Sequence, residues 1–119
     1  MARTQIAKYE AENRNEAVSF STAETVVDVT NGSELEVSTR DDKLVLLAKN
    51  SNESKVETLT VHHGNGIQGV ADLKIQIQPK GRCFITLDSG RFKWMSGENK
   101  GKILFSSTGN ITVAAIVLP

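Results

Sequence analysis

The chain has little of what catalytic, targeting or disulfide-based readings require. Its single cysteine, Cys83, excludes an intrachain disulfide. Placed between Arg82 and Phe84 in a strand-like stretch, it reads as a small buried hydrophobe. Neither sign of charge is in excess, with 14 basic and 14 acidic residues, so there is no electrostatic case for direct nucleic-acid binding or for an anionic membrane as main partner. No apolar run approaches the roughly 18 residues that a membrane helix needs. Met1 to Ile6 opens no apolar core of signal-peptide length, so synthesis in a cytoplasm without export is the expectation. Aromatics are scarce: one Trp, one Tyr and four Phe in 119 residues. A chain this poor in large rings needs them for its core. The locally basic stretch from Lys80 to Lys102 reads as solvated strand faces and turns.

What is present is strand after strand. Ala71 to Gln78 alternates apolar and polar residues, the period of a half-buried strand. Arg82–Leu87, Gly90–Met95 and Lys102–Ser107 follow with turn residues between them, and the sequence closes on the apolar run Ile111 to Pro119. A hydrophobic, strand-like terminus is expected to be tied into a sheet. Upstream, Glu24–Thr30 is β-branched and stops at Asn31-Gly32, a tight-turn dipeptide. Leu35–Val37 reads as a short return strand. Lys43–Lys49 is apolar on both faces, as for a strand inside a sandwich, and Lys55–His63 is rich in Val and Thr. These features predict an all-β fold: a single-domain antiparallel β-sandwich or jelly-roll-like barrel of about eight strands over residues 24–119, preceded by an N-terminal arm over 1–23.

Candidate chemistry is thin. Gly64-Asn65-Gly66-Ile67-Gln68-Gly69 fits Gly-x-Gly-x-x-Gly, but a dinucleotide site needs a helix to open at the third glycine. Here an alternating strand follows, so the motif reads as a hairpin loop. His62 and His63 are adjacent on a strand and point to opposite faces, which disfavours chelation of one metal. Asp41, Asp42 and Asp72 could meet at a calcium site only through tertiary structure. No pattern places a base and an orienting carboxylate around a serine or Cys83. The expectation is therefore no catalytic residue, no metal and no cofactor. Phe92 and Trp94, on one face of the expected 90–95 strand, are core pieces or, if outward, a stacking platform for a sugar.

Residues 1–23 are polar and charged, with sparse apolar positions. They read as an arm that orders against a partner or as a first strand with a frayed end; on the arm reading Arg3, Ile6, Tyr9 and Arg14 are the contact residues. In the closing strand, Ile111, Val113, Ala115 and Val117 share one face. The other face, with Thr112, Ala114, Ile116 and Leu118, is nearly as apolar. The strand is therefore central, or its outer face, at Ile116 and Leu118, meets another subunit.

Four segments carry a resemblance: Met1-Ala2-Arg3-Thr4-Gln5-Ile6, Asp42 to Asn50 with its Lys49-Asn50 end, Gly90-Arg91-Phe92 leading to Gly101-Lys102-Ile103, and the terminal Ile111 to Pro119. In this order they resemble the layout of small head decoration, or cement, proteins of tailed bacteriophages. The resemblance implies a β-sandwich or jelly-roll protomer, often trimeric, that binds the major capsid protein on the outside of an assembled shell and reinforces it. It implies a virion location after synthesis in the host cytoplasm. A tail or baseplate component and a carbohydrate-binding β-sandwich are the alternatives.

Overall fold

The computed structural model describes residues 3–10, 17, 24–37, 43–66, 71–87 and 89–118. The alternating segments pair into two sheets whose apolar faces meet. The strands are β1 (Thr4–Gln5), β2 (Lys8–Glu10), β3 (Glu24–Val26), β4 (Ser33–Glu36), β5 (Leu44–Asn50), β6 (Glu57–Val61), β7 (Leu73–Ile77), β8 (Arg82–Ile85), β9 (Lys102–Ser107) and β10 (Ile111–Val117), with one helical turn, α1 (Ser89–Phe92), between β8 and β9. The first sheet has the order β1-β4-β9-β6-β7. The second runs β2-β10-β5-β8, and β3 also pairs with β10, end to end with β2 along the same edge. The fold is a β-sandwich, and the sheets do not close into a barrel.

Period-two alternation decides which side chains meet between the sheets. Leu35, Leu59, Val61, Ile77, Ile103 and Phe105 of the first sheet face Leu46, Ala48, Ile85, Val113, Ala115 and Val117 of the second. The closing strand β10 is central, between β5 and the β3–β2 edge; its Ile111, Val113, Ala115 and Val117 face the core and its second apolar face lies on the outside of the sheet. The reading of the Gly64 motif as part of a hairpin is matched by antiparallel pairing of β6 with β7; residues 67–70 of the motif lie outside the described residues. Gly64 itself is required by close approach, because a Cβ there would sit 2.5 Å from the Lys93 carbonyl oxygen. At Asn31-Gly32 a turn forms, with Gly32 at φ 76° and the Asp28 carboxylate accepting the N–H groups of Thr30 and Asn31, but it leads from the second sheet to the first, so β4 does not return alongside β3 as expected.

Three further expectations need correction. Residues 90–95 are not a strand: α1 swings Phe92 into the core at 3% exposure, and Trp94 lies beyond it. The alternation that placed the two rings on one face does not apply through a helical turn. Second, the sheets are mixed, because β1 pairs with β4 and β2 with β10 in parallel. Third, of the two readings of the N-terminal segment, residues 4–10 fit that of a strand and not that of an arm: they supply β1 and β2 of the sandwich. The chain crosses from the first sheet to the second at Ile6, whose N–H bonds the Glu34 carbonyl while the Ala7 N–H bonds the Thr25 hydroxyl. This crossing closes the gap between the sheets and buries Ile6 to 4% exposure, so Ile6 is a core residue and not an arm contact. The rest of the expected arm, including Arg14, lies outside the described residues apart from Ala17.

Candidate contact surface

The outer face of the second sheet is unusually apolar for a face turned to water. Cross-strand pairs share a side, so the registers order this face into rows. One row runs Arg82, Lys49, Thr112, Val26; the next Phe84, Leu47, Ala114, Glu24; the next Val45, Ile116, Tyr9. Phe84 is 73% exposed and Val26 62% exposed, and Leu118 extends the patch at 42%. Between Phe84 and Glu24 a groove of about 390 Å³ is floored by Leu47 and Ala114. Lys49 reaches Glu24 across it at 3.3 Å. Ile116 and Leu118, the expected subunit contacts, both belong to this face, with Ile116 only half-buried. Tyr9 lies beside Ile116, whereas Arg3 precedes the first sheet's β1. The structure therefore groups Tyr9, Ile116 and Leu118 and separates Arg3 from them.

Phe84 escaped the reading of composition, yet a local signal marked it. In Arg82–Leu87 it shares parity with Arg82 and Thr86, while Ile85 and Leu87 point inward. Cys83 points inward too and is half-buried beside the core, not fully enclosed; burial pushes its thiol pKa up, the direction that leaves a thiol inert at neutral pH.

Arg3 lines a second, polar cleft of about 470 Å³ with Asn31, His62, His63, Asp72, Trp94 and Ser106. His62 Nδ1 lies 3.4 Å from the Asp72 carboxylate and Nε2 2.9 Å from Ser106 Oγ. A carboxylate only accepts, so Nδ1 carries the proton and Ser106 donates to Nε2 in the neutral ring. Strands 44 residues apart in sequence supply His62 and Ser106, so no spacing could have announced the relay. Its order is that of a hydrolase triad, but the strand that carries Ser106 does not by itself supply paired oxyanion donors. Ser106 is inside β9, and an extended strand aims successive N–H groups at opposite edges, so two cannot converge beside Oγ. Ser106→Ala is expected to leave p-nitrophenyl acetate hydrolysis unchanged; a rate that disappears with the hydroxyl would contradict this.

Asp72 instead latches the mouth of the β6–β7 hairpin. The backbone N–H of His63 donates to it at 2.9 Å, and that bond, with a smaller contribution from His62, holds its carboxyl below the ordinary 3.8. Asp28, in the Asn31 turn, is lowered in the same way by the N–H groups of Asn31 and Thr30 and by the Thr4 hydroxyl. A carboxyl depressed in the folded state stabilises fully above its unfolded value, and the contribution is lost as pH falls through the folded value. The melting temperature is therefore expected to drop on acidification below pH 3.8, with a shallower loss in Asp72→Asn measured by circular dichroism.

Among the described residues no group of three or more His, Cys, Asp or Glu is arranged to hold a metal ion; Asp41 and Asp42 lie outside them. The stacking platform of the sugar-binding alternative is not formed, because Phe92 is in the core while Trp94 is half-buried at the polar cleft, its Nε1 enclosed without a partner. No helix of the described residues is long and apolar enough to cross a membrane. Comparison with protein-family models, with curated proteins and with solved structures gave no match to this chain.

Proposed function

We propose that the chain is a non-enzymatic structural protein of a tailed-phage virion, a decoration protein that binds the outer surface of the assembled capsid and stabilises it. Its partner is the major capsid protein, and it acts as a homo-oligomer, with a trimer favoured. It is made in the host cytoplasm and resides on the capsid exterior, without direct contact to nucleic acid or membrane.

The observation that carries this reading is the exposed apolar face of the second sheet, with Phe84 and Val26 more than half exposed. A soluble chain keeps such a patch for contact. Burying it against a shell supplies the hydrophobic term of attachment, and many copies on one lattice add small contributions to shell integrity. A tail or baseplate component would use the same face; the resemblance to decoration proteins favours the head. The test is calorimetry of empty shells with and without the protein. Decorated shells are expected to melt at higher temperature, to an extent that saturates with added protein. Shells whose melting is indifferent to the protein would contradict the proposal.

A further inference from the structure

Beyond attachment, which a monomer could perform, we infer that copies of this chain join head to tail, the β8 edge of one adding to the β3 edge of the next so that the second sheet continues from protomer to protomer. The hydrogen-bond pattern identifies the open groups. The Asn50 N–H bonds the Gly81 carbonyl. Hydrogen-bonded and non-bonded pairs alternate along an antiparallel ladder. Within the β5–β8 register, Ala48–Cys83 and Leu46–Ile85 are therefore the bonded pairs, and the backbone groups of Arg82 and Phe84 face outward from the sheet edge. The same reasoning applies at the opposite edge. The Val27 N–H bonds the Ile111 carbonyl, so Thr25 bonds Val113, and the backbone groups of Glu24 and Val26 face outward. Among the described residues no strand pairs with either edge.

The two edges match in three independent respects. In direction, β3 and β8 each run antiparallel to the strand they border, and β5 and β10 are antiparallel to each other. Continuing the sheet therefore sets β8 of one copy antiparallel to β3 of the next. In parity, the residues that offer their backbone at each edge, Arg82 and Phe84 against Glu24 and Val26, are also those whose side chains lie on the outer face. Hydrogen bonds and side-chain contacts can thus form in one register, in which Arg82 stands opposite Val26 and Phe84 opposite Glu24, and Arg82 and Glu24 are diagonal neighbours within reach of their long side chains. In charge, one edge presents a cation beside an exposed apolar residue and the other an anion beside an exposed apolar residue. Arg82 has no carboxylate within ion-pair distance among the described residues; Lys49 engages only one oxygen of Glu24. An open edge carrying an exposed Phe is a liability for a monomer, and pairing with a second copy covers it. The contact is heterologous, so it closes into a ring when the rotation per protomer permits, and in a closed ring every copy uses both edges.

The test is sedimentation velocity of the full chain and two charge-reversal variants, Arg82→Glu and Glu24→Arg, at about 10 to 500 µM. Wild type is expected to associate with rising concentration. Each variant alone, carrying two like-charged edges, is expected to weaken association at least tenfold, with circular dichroism verifying that it is folded. A mixture of the two variants offers one native pair of edges and one pair with the charges exchanged, both complementary, and is expected to recover association. Variants that associate like wild type, a mixture that stays monomeric, or a wild type monomeric at 500 µM would overturn the inference. None of these outcomes touches capsid binding, which is read separately with shells.

Discussion

Asn50→Leu is expected to lower the stability of the sandwich by roughly 3–5 kcal/mol. Asn50 has no exposure to solvent, yet all its side-chain polar atoms are engaged. Nδ2 donates to the carbonyls of Lys55 and Ile77, each at 2.9 Å, and Oδ1 accepts the Asn52 N–H at 2.8 Å. The residue thus ties the end of β5 in the second sheet to the end of β7 in the first and shapes the turn between β5 and β6. Leucine matches it in size but leaves the buried Ile77 carbonyl and the part-buried Lys55 carbonyl and Asn52 N–H without their partner, and each orphan kept from water costs about 1–3 kcal/mol. Against a total stability of about 5–15 kcal/mol for a domain, the loss is readily measured. The midpoint of urea denaturation should fall with little change in slope. Gln76→Ala, on the exposed face of β7, should shift it by no more than about 0.5 kcal/mol. Equal midpoints for Asn50→Leu and wild type would mean that the three bonds do not hold the sheets together.

Removing residues 1–10 is expected to be more damaging still. A partner-contacting arm can be cut away from an intact domain; this segment cannot, because its β1 and β2 pair with β4 and β10 and place Ile6 between the sheets. Ile6→Ala alone should cost about 2–4 kcal/mol by the transfer and cavity terms. The truncation additionally uncovers Val27, Leu35 and Val37, which belong to the same core, and frees the backbone groups of β4 and β10. A truncated protein with an unchanged thermal midpoint would restore the arm reading. Loss of shell binding on truncation would then report attachment; with the strands assigned here, it reports unfolding.

The fold class was legible because period-two alternation is a local property. Lys102–Ser107 has the bounds expected, and the apolar run 111–117 is a strand. Leu73, Ile75 and Ile77 turn inward from Lys74 and Gln76 as their pattern required. The failures have physical causes. A helical turn of four residues has no periodicity of its own, so Gly90–Met95, rich in large side chains, reads as a strand although α1 buries Phe92. The parallel strands β1 and β2 are two and three residues long, and their pairing partners lie far along the chain, so their sequence reads as charged and polar. Of the contact surface, Ile116 and Leu118 were legible from the second apolar face of β10. For Phe84 the parity with Arg82 and Thr86 marked its direction, but not its exposure, because that depends on what covers the strand, which only the tertiary structure reveals. The His62–Ser106 relay needed the same long-range pairing.

The most direct measurement of the central claim is cosedimentation of the protein with purified, assembled shells of a phage that encodes it, beside free capsid subunits and beside the variants Leu47→Asp and Leu118→Asp. Both substitutions place a carboxylate on the apolar face, Leu47→Asp in the middle of the row between Phe84 and Glu24 and Leu118→Asp beyond the end of β10. Wild type is expected to saturate the shells and leave free subunits unbound, and variants shown to be folded should bind at least tenfold more weakly. Binding of folded variants as tight as wild type, or no binding of the wild type to shells, would contradict the account.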